Sequence, residues 1–186
     1  MQKKVLICIA DGCEEIEALT VVDLLRRAGI QIDMVSVMNK KSVTGSHGIV
    51  FETDRNAMEI GTDIDSYDGI ILPGGMPGTN YLRESSFVLN TVAKFDKEKK
   101  LVAAICAAPT VLAYAGVLRG KRATSFPGMD TEMKGVDYKA EEVVVDENII
   151  TSRGMGTAIP FGLELIKYLL DEATAKRMGE TIVYRQ

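Results

Sequence analysis

Apolar runs of strand length alternate with amphipathic stretches of helix length along most of this 186-residue chain, and no other feature constrains its fold as strongly. Strands separated by helices pair in parallel and need helices on both faces, so the alternation predicts an α/β sandwich. Lys4 to Ala10 reads as a first strand, Glu14 to Arg27 as a first helix and Gln31 to Val37 as a second strand. Asp11 is the candidate N-cap, with Glu14 three residues later, and Gly29 closes the helix after Arg26 and Arg27. Ser42 to Asp54 breaks the rhythm: Val43 and Ile49-Val50-Phe51 flank Gly45-Ser46-His47-Gly48 as a β-hairpin outside the parallel order. Tyr67 to Leu72 is a short strand running into Pro73-Gly74-Gly75. Glu84 to Lys97 reads as a helix, Glu142 to Val145 and Asn148 to Ser152 as a strand pair, and Ala158 to Leu170 as the last strong helix. The length fits one domain, residues 1–186, with a core that needs no staples.

Cys106 stands where the run Leu101-Val102-Ala103-Ala104-Ile105 stops and a helix opens at Ala107-Ala108-Pro109-Thr110. A nucleophile elbow needs small residues two positions either side of the nucleophile, and Ala104 and Ala108 stand there. A thiol at a helix N-terminus meets unsatisfied N–H groups that favour the anion. A pKa lowered from about 8.5 to about 5.5 would raise the thiolate fraction at neutral pH from roughly 3% to roughly 97%. The same residues also suit a core cysteine filling space at a strand end.

Other candidates fall at the carboxyl ends of strands, where open parallel sheets bind ligands. Gly74 and Gly75 let bare N–H groups approach a ligand, and with the Ala107 N–H they form a candidate oxyanion hole. Glu14 and Glu15 suit the first turn of a helix. Glu17 is placed to face inward, where burial would keep its carboxyl protonated and able to donate to a Cys106 thiolate. His47 is the only histidine, so a Cys-His dyad would have to use it, and Arg153 is a candidate cation for an anionic substrate. Cys8 reads as core and Cys13 as an oxidisable loop residue. One histidine and scattered cysteines give no metal-ligand spacing, so neither a metal nor another cofactor is expected.

Bulk properties narrow the function classes. A net charge of −4 offers no basic field for nucleic acid or an anionic membrane. No apolar run has the length of a membrane span, and the N-terminus lacks the apolar core of a signal peptide. Three unevenly spaced cysteines suit a reducing, cytoplasmic setting.

Taken together, Gly12-Cys13-Glu14-Glu15-Ile16-Glu17, Ile71-Leu72-Pro73-Gly74-Gly75, Ala104-Ile105-Cys106-Ala107-Ala108-Pro109-Thr110 and Thr151-Ser152-Arg153-Gly154 resemble the DJ-one/PfpI/ThiJ superfamily along essentially the whole chain. The likeness is greatest to the branch containing the parkinsonism-associated deglycase and its bacterial ThiJ-like relatives. The resemblance implies a flavodoxin-like three-layer sandwich with a mostly parallel central sheet, a homodimer, a reactive Cys106, a protonated Glu17, and oxyanion donors at Gly75 and Ala107. Two departures matter. Many members carry a histidine in the segment matching Ser125-Phe126-Pro127, where this chain has Phe126. The peptidase-like branch carries one directly after the nucleophile, where this chain has Ala107. His47 is then the candidate replacement base, with Gly74, His47 and Arg153 expected around the substrate.

The reading that follows is a cysteine-dependent enzyme acting on small reactive carbonyl or glycated compounds, of glyoxalase or deglycase type. The first alternative is a redox-sensing or chaperone-like protein whose Cys106 oxidises to a sulfinate. The second is an amidase or peptidase of PfpI type.

Overall fold

Lys4–Ile9 forms β1, whose residues after Lys4 are all buried, because both faces of the sheet are covered. Its side chains divide by the two-residue period of a strand. Val5, Ile7 and Ile9 enter one core, and Leu6 and Cys8, with Ala10 just past the strand, enter the other. In the computed structural model, which describes residues 2–184, the rest of the chain is arranged around this strand. Met1, Arg185 and Gln186, which the single-domain reading and the N-terminal leader reading include, lie outside the described residues.

Helix α1 (Glu15–Arg27) leads to β2 (Gln31–Ser36), which pairs in parallel with β1. The hairpin follows as β3 (Ser42–Thr44) and β4 (Val50–Glu52), antiparallel and separate from the main sheet as the sequence suggested. A two-residue strand, β5 (Arg55–Asn56), lies at one edge beside β2. Next come β6 (Gly69–Leu72), α2 (Gly78–Glu84), α3 (Ser86–Lys97), β7 (Leu101–Ile105) and α4 (Pro109–Tyr114). Two short strands, β8 (Arg122–Ala123) and β9 (Asp137–Tyr138), pair in parallel with each other, apart from the main sheet. The chain ends its sheet with β10 (Val143–Asp146) and β11 (Ile149–Ser152), then adds α5 (Ala158–Leu169) and α6 (Glu172–Thr181).

The sheet order is β10-β11-β7-β6-β1-β2-β5, parallel throughout except for the β10–β11 pair. Helices α1 and α5 contribute to one core, where Val21, Leu25, Phe161 and Leu165 are buried. Val88, Val92 and Phe95 of α3 and Val111 and Leu112 of α4 fill the other. The α/β sandwich class is therefore as the alternation predicts.

The differences have local causes. Asp11 is not the cap of α1: its carboxylate accepts the Thr44 N–H at 2.9 Å and pairs with Lys40, tying the hairpin to the loop after β1. Glu14 caps the helix instead, accepting the Glu17 N–H at 2.8 Å. The stretch from Glu84 divides at Ser85, which ends α2 and caps α3. Helix α6, unread in sequence, starts on Asp171, whose side chain accepts the Thr174 N–H. Among the described residues no helix is long and apolar enough to cross a membrane.

Candidate active site

Three parallel neighbours, β1, β6 and β7, deliver their carboxyl ends to one place. At the end of β7, Cys106 adopts φ 65, a left-handed conformation that costs a non-glycine residue about 1–2 kcal/mol. Two main-chain hydrogen bonds hold it there: the Cys106 N–H donates to Ser152 at 3.0 Å, and the Phe126 N–H donates to the Cys106 carbonyl at 2.7 Å. Ala104, Ala107 and Ala108 around the turn are buried, and Pro109 opens α4 without needing an N–H partner. The elbow is present, and Cys106 itself is half-buried rather than sealed in the core.

Glu17, in the first turn of α1, points into the sheet end as the sequence reading required, and it is 1% exposed. Its Oε2 accepts the Gly74 N–H at 2.9 Å, and its carboxyl hydrogen-bonds with the Cys106 thiol. Gly74 fills the gap between the two. A Cβ there would lie 2.6 Å from Cys106 Cβ and 2.7 Å from Glu17 Oε2. Gly75 sits at φ 90 with its α-carbon against the backbone of Cys13 and Glu14, so only glycine fits. That conformation turns the Gly75 N–H toward the Cys106 sulfur, which the Ala107 N–H also reaches. Cys106, Glu17, Gly74, Gly75 and Ala107 thus stand together at one place.

The electrostatics correct one expectation. Burial pushes the Glu17 carboxyl up to about 7, against hydrogen bonds from Cys106 and Gly74 that favour its ionised form. Burial also pushes the Cys106 thiol up to about 12, followed by repulsion from Glu17, while the Ala107 and Gly75 N–H groups pull the other way. The expected fall to about 5.5 is absent because the sulfur is desolvated by burial and faces the Glu17 carboxyl group, which together outweigh the two N–H groups. Two groups joined by a hydrogen bond titrate as a pair. A thiolate here is the form of the singly ionised pair in which Glu17 keeps the proton.

His47 pairs with carboxylates: its Nδ1 lies 3.0 Å from Glu15 Oε2 and 3.9 Å from Glu14 Oε1. Burial opposes ionisation of Glu15, but the hydrogen bonds from His47 outweigh it and hold the carboxyl at about 2. Arg153 lines a neighbouring cavity of about 500 Å³ with Phe126, Glu142, Gly154 and Met155, and its Nη1 donates to the Ala140 carbonyl at 3.3 Å. Gly154 joins this cavity to the site, since a Cβ on it would lie 3.5 Å from the Phe126 ring and 3.9 Å from Glu17 Oε1. Cys8 is core as read. Cys13 is buried too, not an accessible loop thiol, and burial with the charges of Glu15 and Glu14 pushes it up to about 12. Sequence reasoning missed Thr157, whose hydroxyl accepts from the Arg153 and Gly154 N–H groups and holds the cavity wall. Nothing in the local sequence marks it.

Comparison with known proteins agrees with this geometry. The profile described as the DJ-1/PfpI family matches residues 3–168. Protein dj-1beta of Drosophila melanogaster is 36% identical over 185 residues, 98% of each chain. A Pyrococcus abyssi protein named a deglycase is 35% identical over 168 residues, 89% of this chain and 99% of that one. The crystal structure of Drosophila melanogaster DJ-1beta superposes with a TM-score of 0.95 at 35% identity, covering 100% of both chains. That of oxidized Toxoplasma gondii DJ-1 gives 0.94 at 34% identity, covering 99% of this chain and 100% of that one. With the profile spanning most of its length, and with sequence and fold relatives matching nearly end to end, this chain belongs to the DJ-1/PfpI family.

Proposed function

We propose that this protein is a cysteine-dependent enzyme that acts on small reactive carbonyl compounds, in the glyoxalase or deglycase class. The observation that carries the proposal is a half-buried sulfur held at a strained elbow between two main-chain N–H groups and a buried carboxyl group. In the singly ionised pair, the Cys106 thiolate attacks the aldehyde carbon, a C–S bond forms, and the carbonyl π-electrons move to oxygen. The N–H groups of Ala107 and Gly75 lie within reach of the oxygen formed one bond from the sulfur. Glu17 gives that oxygen its proton, which completes a hemithioacetal and leaves Glu17 ionised. Arg153, in the adjoining cavity, supplies the positive charge for an anionic substituent. The archaeal relative's name, deglycase, supports the class. The test is turnover of methylglyoxal: Cys106→Ala should abolish it, and full activity in that variant ends the proposal.

A second reading, oxidation of Cys106 by peroxide to a sulfinate, draws on the same N–H groups, which would bind the new oxygens, and on a protonated Glu17 as donor. Intact mass after mild peroxide tests it, and the lack of a two-oxygen adduct on Cys106 counts against it. Peptide hydrolysis has less support, because neither Phe126 nor Ala107 supplies the base that it needs. We further propose a homodimer in the cytoplasm. Ile16 at the start of α1 and Ile49 and Val50 on the hairpin are exposed, and a second copy would cover them.

A further inference from the structure

Two large apolar side chains stand beside the reactive pair without a packing role. Phe126 is 48% exposed and Met155 57%, and neither belongs to either hydrophobic core among the described residues. Both line the cavity of about 500 Å³ that adjoins the site, as does Pro127. The main chain holds each in place. Phe126 donates its N–H to the Cys106 carbonyl at 2.7 Å, and its own carbonyl accepts the Met129 N–H at 3.1 Å. Met155 opens a short turn that is closed by the Thr157 N–H donating to the Gly154 carbonyl at 2.8 Å. Gly154 is the passage between cavity and site. A Cβ there would meet the Phe126 ring at 3.5 Å and Glu17 Oε1 at 3.9 Å, so its absence leaves the ring open toward the carboxyl group. The charged residues of the lining, Arg153 and Glu142, are of opposite sign, so an uncharged group is as admissible there as an anionic one. Ile16, Ile49 and Val50, the residues assigned to a second copy, are not part of this lining.

We propose that Phe126 and Met155 select 2-oxoaldehydes that carry an aromatic or branched apolar group on the keto carbon, an inference that rests on the carbonyl chemistry assigned above to Cys106. Attack of the sulfur on the aldehyde carbon leaves the substituent of the keto carbon free to extend into the adjoining cavity. Glyoxal and methylglyoxal offer only a hydrogen or a methyl group there, and most of the space of about 500 Å³ stays with water. A phenyl group displaces that water and meets the Phe126 ring and the Met155 thioether, both of which aromatic rings favour as neighbours. Walls fixed by main-chain hydrogen bonds lose little freedom when a guest arrives, so its buried apolar surface is expressed as affinity. In sequence, Phe126 registers only as the absence of a base.

The test compares kcat/KM of the whole chain for phenylglyoxal and methylglyoxal from initial rates. One methylene gained or lost in an apolar pocket changes kcat/KM by roughly 10–200-fold, so the phenylglyoxal-to-methylglyoxal ratio should fall at least about tenfold in Phe126→Ala and recover in Phe126→Leu. Met155→Ala should lower it as well. So should Gly154→Ala, whose methyl group fits at ordinary contact distance and fills the passage. Phe126→Ala should melt with wild type, since its ring lies outside both cores. A second measurement needs no turnover: the rate of Cys106 alkylation by N-benzyliodoacetamide relative to iodoacetamide, followed by intact mass, should fall in the same variants. Ratios unchanged in Phe126→Ala and Gly154→Ala overturn the inference, as does an equal loss with both aldehydes. Turnover of neither aldehyde by wild type ends the carbonyl reading by itself, and a falling alkylation ratio would then still support Phe126 as the contact for an apolar group.

Discussion

Replacing Glu17 with glutamine should make the fold less sensitive to alkali, by an amount that follows from the burial of one carboxyl group. Burial raises that carboxyl from its ordinary 4.5 to about 7, so the folded protein holds a proton that the unfolded chain releases. A group raised in this way supports folding fully below about pH 4.5, and the support is lost as pH climbs through about 7. With about 1.36 kcal/mol for each tenfold change in binding, Glu17 weakens the fold by about 1 kcal/mol at pH 5 and about 3 kcal/mol at pH 8. Glutamine has no such titration and still offers an oxygen to the Gly74 N–H. Urea unfolding at both pH values should therefore show Glu17→Gln gaining about 2 kcal/mol on wild type between pH 5 and pH 8. A difference that stays constant within about 0.5 kcal/mol would mean that Glu17 ionises as freely in the folded protein as outside it, and the proton-holding role would fall with it.

The same pair governs reactivity: alkylation of Cys106 by iodoacetamide should rise with pH through about 7 as the pair loses its first proton, and Glu17→Gln should move that midpoint upward. An unmoved midpoint would separate the thiol from the carboxyl. Gly75→Ala should lose at least about 1–2 kcal/mol in urea, the cost of a left-handed backbone alone, because its Cβ would also meet Glu14 N at 2.2 Å. A midpoint equal to wild type would refute that geometry. Arg153→Gln should raise KM for glyoxylate about tenfold or more while leaving that for uncharged glyoxal little changed, since a hydrogen bond to a charged group is worth about 1.5–3 kcal/mol. Equal effects on both would remove Arg153 from substrate recognition.

What was legible in the sequence is what a short window of residues determines. The period-two pattern of β1, the small residues around Cys106 and the apolar run into Gly74-Gly75 each specify a local conformation, and the parallel sheet makes those local pieces converge. Glu17 was readable because helical spacing fixes the direction of a side chain relative to its neighbours. The pKa of Cys106 was not. Its sign depends on whether main-chain N–H groups or desolvation and a facing carboxyl dominate, and that balance is set by how deeply the folded chain buries the sulfur and by Glu17, 89 positions away. The same limit hid Asp11, whose carboxylate looks like a cap until Thr44 and Lys40 arrive from the hairpin, and His47, which reads as a spare base until Glu15 is seen beneath it. In each case the residue type was right and the partner came from a distant segment. The corrections that bear on the chemistry are therefore mostly about charge, whose energy depends on everything within a few ångströms, whereas the corrections of shape are local ones, such as the break at Ser85 and the added helix α6.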